Sequence, residues 1–138
     1  MAEADVLTIY TDGASRGNPG AAAFAYVIRR EGQPSIEEAE CLGDTTNNQA
    51  EYTALVRALE RALQLGPHHR LLIHSDSELM VKQMNGEYRV KNADLRDLYE
   101  QACALRQRFE GAVTIRHVRR ALNKRADELC NQALDGKR

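Results

Sequence analysis

Four acidic residues occupy positions where side-chain oxygens could do chemistry: Asp12, Glu51, Asp76 and Asp127. Asp12 lies in residues 10–20, YTDGASRGNPG, after a short apolar segment and beside glycines that allow close backbone approach. Asp76 directly follows the apolar segment RLLIHS. Glu51 lies one turn before Leu55 on the apolar stripe of a helical segment, and Asp127 lies in the first turn of another, three residues before Cys130. An acid aligned with a core face is costly unless it is paired or bound to a metal. If the four converge, each close pair repels by roughly 4 kcal/mol at about 4 Å near a surface. Divalent cations would neutralise that repulsion. All-oxygen donors suit Mg2+ or Mn2+ and argue against zinc, and two such ions about 3.5–4 Å apart form the clamp used in phosphodiester hydrolysis. Taken singly, each acid has a plainer explanation. Asp12-Gly13 reads as a hairpin turn, Glu51 as a wet helix start, Asp76 as the N-cap of a helix over 77–84, and Asp127 as a first-turn acid favoured by the helix dipole.

The elements that must position these acids follow from hydrophobic periodicity. Residues 5–11, DVLTIYT, are fairly apolar on both faces and predict a central strand with Asp12 at its carboxyl end, followed by a Gly-rich loop through Gly13, Gly17, Pro19 and Gly20. Phe24, Tyr26 and Ile28 alternate with Ala23, Ala25 and Val27 in a second, antiparallel strand over 20–30, and residues 36–43 predict an acidic edge strand. Leu55, Leu59 and Leu63, with Ala54, Ala58 and Ala62, give one apolar face to a long helix over 45–65 capped by Thr46 or Asn47. A buried strand over 70–75, a short helix over 77–84, a loop over 85–92, a helix over 94–109, a strand over 113–118 and a closing helix over 123–134 complete the order. A helix between the strands that end at Asp12 and Asp76 is a natural parallel crossover, and sites in open α/β sheets form at the carboxyl ends of such neighbours.

Bulk properties narrow the class. A chain of 138 residues suffices for one domain with a proper core and is short for two, so a single domain over 1–138 is expected, with its core over about 5–135. A net charge of −1 gives no global basic field, so any polyanion site must be local. Neither a membrane-length apolar run nor a signal-peptide pattern is present, and the expected compartment is cytoplasmic. Cys41, Cys103 and Cys130 fit neither a disulfide framework nor a zinc site, and read as small core residues. Gly136-Lys137-Arg138 reads as a loose tail.

Four segments, YTDGASRGNPG, TTNNQAEYTALVRAL, HSDSELMVKQM and NKRADELCNQAL, resemble in order the four motifs of ribonuclease H type 1, over nearly the whole chain. The resemblance implies an α/β ribonuclease H-like fold: a five-stranded mixed sheet, three antiparallel strands followed by two parallel ones, flanked by α-helices. It implies that Asp12, Glu51, Asp76 and Asp127 are catalytic metal-binding carboxylates, with Asp12 the best candidate to bridge two Mg2+ ions, Mn2+ being an alternative. One ion would activate a water and the other would stabilise the leaving 3′ oxygen. The implied reaction is cleavage of the RNA strand of an RNA–DNA hybrid, leaving 3′-hydroxyl and 5′-phosphate ends. The scissile phosphate could supply metal ligands, so full assembly would need substrate. Gly13, Ser15, Asn18, Asn47 and Asn48 resemble the residues that read the minor groove and the RNA 2′-hydroxyls, and Thr46 and Asn92 resemble a pocket for a DNA-strand phosphate. A monomer is expected.

The chain departs from many family members at three places. The loop histidine that assists catalysis or product release is missing, since His117 lies within the last strand and the chain runs through Arg119 and Arg120 straight to Asn123. Arg119 or Arg120 could substitute electrostatically, but neither could act as a base. The long basic protrusion before the Asp94 helix is absent, leaving Lys82, Arg89 and Lys91. Glu78 stands where many members carry a substrate-touching glutamine. The compact form resembles a subgroup of some bacteria and archaea, parts of which also cut double-stranded RNA, and that activity stays open. Two other readings remain: a catalytically weak hybrid-binding module, disfavoured because clustered negative charge gains nothing beside phosphates, and a nuclease-fold enzyme acting on DNA, such as a resolvase or transposase core.

Overall fold

The computed structural model describes residues 5–136. Ten elements follow one another: β1 Val6–Gly17, β2 Gly20–Arg29, β3 Ile36–Thr45, α1 Asn47–Leu65, β4 Arg70–Ser75, α2 Glu78–Met84, α3 Ala93–Arg106, β5 Val113–His117, a 3₁₀ turn Arg120–Leu122, and α4 Lys124–Leu134. The strands form one sheet in the order β3-β2-β1-β4-β5. β1, β2 and β3 pair antiparallel, whereas β4 runs parallel to β1 and β5 parallel to β4. The expected mixed sheet of three antiparallel and two parallel strands is thus what the chain forms, with apolar β1 at its centre.

The alternation in β2 divides the core. Phe24, Tyr26 and Ile28 join Leu7, Ile9, Leu55, Leu59, Ile73 and Met80 on the face covered by α1, α2 and α3. Ala23, Ala25 and Val27 meet Ala126, Leu129, Cys130 and Ala133 of α4 on the other. Small residues on both partners let α4 approach the sheet closely. A bidentate pair then clamps α4 to the edge strand, with Arg125 Nε and Nη2 donating to the Glu37 carboxylate at 2.8 Å each.

The expected Gly-rich loop after Asp12 is not a loop. β1 continues through Asp12 to Gly17 and stays paired with β2, from Thr8↔Arg29 to Gly17↔Gly20, so only Asn18 and Pro19 remain as the turn. The alternation in residues 20–29 supplies a partner strand long enough to keep residues 13–17 paired. The parallel partner stops earlier: β4 pairs with β1 only from Val6↔Arg70 to Thr11↔Ser75. Asp12 therefore sits inside a strand, at the point where one flank of that strand loses its neighbour.

Smaller differences have local causes. Thr45 belongs to β3, and α1 starts after Thr46, whose hydroxyl accepts from Gln49 N while Gln49 Oε1 accepts from Thr46 N, a capping box. Ser77, not Asp76, caps α2, and Asn92 caps α3. α3 ends at Arg106 rather than Phe109, and a 3₁₀ turn precedes α4. Cys130 is buried, but Cys41 is exposed on the edge strand, so the reading of all three cysteines as core residues holds for Cys130 and fails for Cys41. The tail reading at Lys137-Arg138 lies outside the described residues.

At Gly13 the central strand meets the backbone of α1 at close range. A Cβ there would lie 2.2 Å from Ala50 C, 2.4 Å from Ala50 O and 2.4 Å from Glu51 N, all backbone atoms of α1. Gly13→Ala is expected to lower unfolding free energy by about 3 kcal/mol or more, because a backbone clash cannot be relieved by a rotamer change. Urea denaturation of the two proteins measures this, and a loss below about 1 kcal/mol would refute so tight a contact.

Candidate active site

The open flank of β1 begins at Asp12, and four elements bring acids to it. β1 carries Asp12, the first residue after β4 is Asp76, α1 contributes Glu51 from its first turns, and α4 contributes Asp127. All four line one cavity of about 370 Å³, together with Gly13, Ala14, Asn47, Asn48, Ser77 and Arg120. One carboxylate oxygen from each of Asp12, Glu51 and Asp76 lies within 4.8 Å of the others. Asp127 stands outside that close group and faces Arg120 Nη2 at 3.2 Å.

Each side chain is held by a local cause. Gly13 N–H donates to Glu51 Oε1 at 3.1 Å, which α1 can reach only because Gly13 has no side chain. Ser77 N–H donates to Ser75 Oγ at 3.0 Å, turning the chain at Asp76. Asn123 is buried just before α4 and donates its amide to Thr11 O at 2.8 Å, fastening the start of that helix to β1 beside Asp12.

The electrostatics follow from burial. Asp12 is 4% exposed and Glu51 8%, so both carboxyls are largely stripped of water. Desolvation first, then the charges of Asp76 and Asp127, pushes Asp12 up to about 8, against the opposing pull of Arg120 and Gly13 N–H. Glu51 is also raised well above the ordinary carboxylate range, by burial first and then by Asp12 and Asp76. Asp12 Oδ2 is buried with no hydrogen-bond partner among the described residues. Such an atom fits a hard cation, which would supply the missing partner and reverse the repulsion. The donor set near it is all oxygen, as Mg2+ or Mn2+ prefers.

The substrate-reading candidates fall into two adjoining groups. Asn47 Oδ1 accepts from Ser15 N at 2.8 Å and Ser15 Oγ at 3.1 Å, while Asn47 N donates to Asn18 Oδ1 at 3.0 Å. The β1–β2 hairpin is thereby strapped to the N-terminus of α1. Thr46, Asn18, Asn48 and Asn92 line a separate cavity of about 130 Å³ with Gln49, Asp94 and Leu95. Asn48 borders both cavities. Of the two arginine candidates, Arg120 reaches the acidic cavity, and Arg119 lies at the start of the 3₁₀ turn outside its lining. His117 is exposed and does not line it. Ser77 and Asn123 were not singled out in the sequence. The repeated serines of Ser75-Asp76-Ser77 were a signal for the first, whereas the role of Asn123 depends on a contact across 112 positions.

A mixed sheet in this order, with acids gathered where β1 outruns β4, defines an α/β protein of the ribonuclease H-like class. Residues 10–133 match the family described as Reverse transcriptase-like. Ribonuclease HI of Halobacterium salinarum is 44% identical over 127 residues, covering 91% of this chain and 63% of that protein. Ribonuclease H of Chromobacterium violaceum is 31% identical over 155 residues, covering 98% of this chain and 99% of that protein. The crystal structure of LC11-RNase H1 in complex with RNA/DNA hybrid superposes with a TM-score of 0.88 at 39% identity, covering 94% of this chain and 97% of that one. The chain belongs to the ribonuclease H type 1 family. It spans between 35% and 63% of the length of the first curated relatives it matches.

The raised Asp12 carboxyl fixes the sign of a pH effect. The unfolded chain loses this proton near 3.8, and the metal-free folded chain keeps it to about 8. Between those values the folded state binds more protons, so stability without metal falls as pH rises through that window. Asp12→Asn removes this penalty. Its metal-free form is expected to be about 1–3 kcal/mol more stable than wild type near neutral pH and equal to it below about pH 4. Urea melts in chelator at both pH values test this, and a variant less stable at neutral pH would overturn it.

Proposed function

We propose that this chain is an endoribonuclease that hydrolyses the RNA strand of RNA–DNA hybrids, leaving 3′-hydroxyl and 5′-phosphate ends. Asp12, Glu51, Asp76 and Asp127 would hold two divalent ions, Mg2+ or Mn2+, with the substrate. The carrying observation is the desolvated Asp12, its Oδ2 without a partner among the described residues, inside a cavity shared with three further acids. Bound ions would supply Lewis-acid stabilisation of the attacking and leaving oxygens. Everything else is positioning by the protein. Gly13 N–H orients Glu51, and Arg120 holds Asp127 at the cavity wall.

The hybrid would lie across both cavities. With Asn47 Oδ1 taken by Ser15, its NH2 group is left to donate to a 2′-hydroxyl or a base edge. The smaller cavity faces the N-termini of α1 and α3, capped by Thr46 and Asn92, and such termini favour a phosphate. Asp94 also lines it and lessens that attraction. Where a basic protrusion would stand, Arg89, Lys91 and Arg96 line a cavity of about 470 Å³ with Tyr88 and Tyr99. This modest basic set supports a weaker, less salt-sensitive grip on the DNA strand than a long protrusion would give. Among the described residues no helix is long and apolar enough to cross a membrane. We place the chain as a single-domain monomer in the cytoplasm, with double-stranded RNA as a second substrate to be tested.

Cleavage of one labelled strand at a time in RNA–DNA, RNA–RNA and DNA–DNA duplexes is the direct test. Wild type with Mg2+ or Mn2+ is expected to cut the RNA strand of the hybrid, and Asp12→Asn is expected to lose at least about 10³-fold in rate while remaining folded. Absence of cutting by folded wild type would leave the hybrid-binding module as the better account, and cutting of the hybrid's DNA strand would favour the DNA-directed reading.

Arg120 is separable from Arg119 in the same assay. Removing the charged partner of Asp127 is expected to slow Arg120→Ala roughly tenfold, equivalent to about 1.4 kcal/mol, and Arg119→Ala is expected to stay within about twofold. Equal losses in the two variants would show general attraction for substrate instead of a role at Asp127.

A further inference from the structure

A second group of metal-ligating side chains stands at the other end of the sheet. One carboxylate oxygen of Asp5 and one ring nitrogen each of His68 and His69 lie within 4.8 Å of one another. Donors around a tetrahedral ion at about 2.0–2.2 Å are roughly 3.5 Å apart, so modest side-chain rotation would close the site. We propose that Asp5, His68 and His69 form a transition-metal site, for Zn2+ or a similar imidazole-binding ion, that acts as a structural clip. The inference is independent of the nuclease reading.

Donor chemistry separates the two sites. Two imidazoles and one carboxylate suit zinc, cobalt or nickel and are poor ligands for Mg2+, the reverse of the all-carboxylate cavity. His69 is also prepared to ligate. Its Nδ1 lies 3.0 Å from Gly66 O, so that nitrogen carries the proton and Nε2 keeps the lone pair that a metal needs.

Local backbone geometry places the partner ring. Gly66 has φ +137°, and a Cβ on it would lie 2.5 Å from His68 Cε1 and 2.7 Å from His68 Nδ1. The His68 ring thus occupies space that any other residue at position 66 would fill. The two rings lie side by side, with centroids 4.1 Å apart and planes 33° apart. His69 also borders a cavity of about 330 Å³ with Arg30, Glu31 and Gln33.

The position gives the clip its purpose. Asp5 directly precedes β1, His68 and His69 directly precede β4, and the two strands pair in parallel from Val6↔Arg70. A bound ion would tie together the amino ends of the central strands, two segments distant in sequence, and would stabilise the folded state by mass action. It would sit about 20 Å along β1 from Asp12.

The test is thermal unfolding of the full chain with graded ZnCl2 in excess Mg2+, comparing wild type, the double variant His68→Ala/His69→Ala, and Asp5→Asn. Wild type is expected to melt about 4 °C higher at a tenfold excess of zinc over its dissociation constant, and the double variant to lose most of that rise. Asp5→Asn is expected to fall between them. Co2+ added at low temperature, where every variant is folded, is expected to give visible d–d absorption in wild type that the double variant lacks. Mg2+-dependent hybrid cleavage is expected to be equal in wild type and the double variant. No zinc-dependent rise in wild type would overturn the proposal. So would an equal rise in the double variant, which would place the zinc among the carboxylates.

Discussion

Gly13 N–H meets Glu51 Oε1 at 3.1 Å in a place where a single methyl group on β1 would collide with the backbone of α1. That contact sets the distance between the first helix and the central strand. It also brings the Glu51 carboxylate beside Asp12 and away from bulk water, so the packing of helix on sheet and the crowding of charge are one event. A more distant helix would leave Glu51 wet and the acids apart, and the ordinary electrostatics of surface carboxylates would return.

Around this crowded point the fold supplies restraint from several directions. Asn123 fastens the start of α4 to the carbonyl of Thr11, and Arg125 clamps the same helix to Glu37 of the edge strand. Asp127, on the same helix just beyond these anchors, is held at the cavity wall, where Arg120 partly offsets the negative field. The resulting arrangement is unfavourable without a cation: buried like charges raise Asp12 and Glu51, and Asp12 Oδ2 is left without a partner among the described residues. The proposed metal chemistry turns this local cost into affinity for divalent ions.

The polar residues proposed to read the substrate share their supports with the acids. The hairpin that carries Ser15 and Asn18 is strapped through Asn47 to the N-terminus of α1, four positions before Glu51. Two helix N-termini then converge on the small cavity at Thr46 and Asn92, with Asn48 bordering both it and the acidic cavity. A nucleic acid lying along this line would meet amide donors, backbone N–H groups and carboxylates on one rigid surface. That is the preorganisation phosphoryl-transfer chemistry depends on.

The sequence by itself determined the elements and the family. Alternation in 23–28, the Leu55-Leu59-Leu63 stripe and the RLLIHS run are short-range patterns set by the burial period of strand and helix, and four ordered motifs carried the resemblance. Tertiary structure decided what local pattern cannot carry. Residues 13–17 look like a loop because glycine and serine favour turns, yet pairing with β2 holds them as strand. Arg119 and Arg120 are equivalent in sequence, and only the 3₁₀ turn sends the second toward Asp127. Asp127 itself stands outside the close group of the other three acids, a distinction that spacing along the chain does not encode. Asp5 and the histidine pair, unremarked in the sequence, become neighbours only because β1 and β4 begin in register. Local propensity acts over a few residues, whereas strand register and helix docking join positions far apart in the chain.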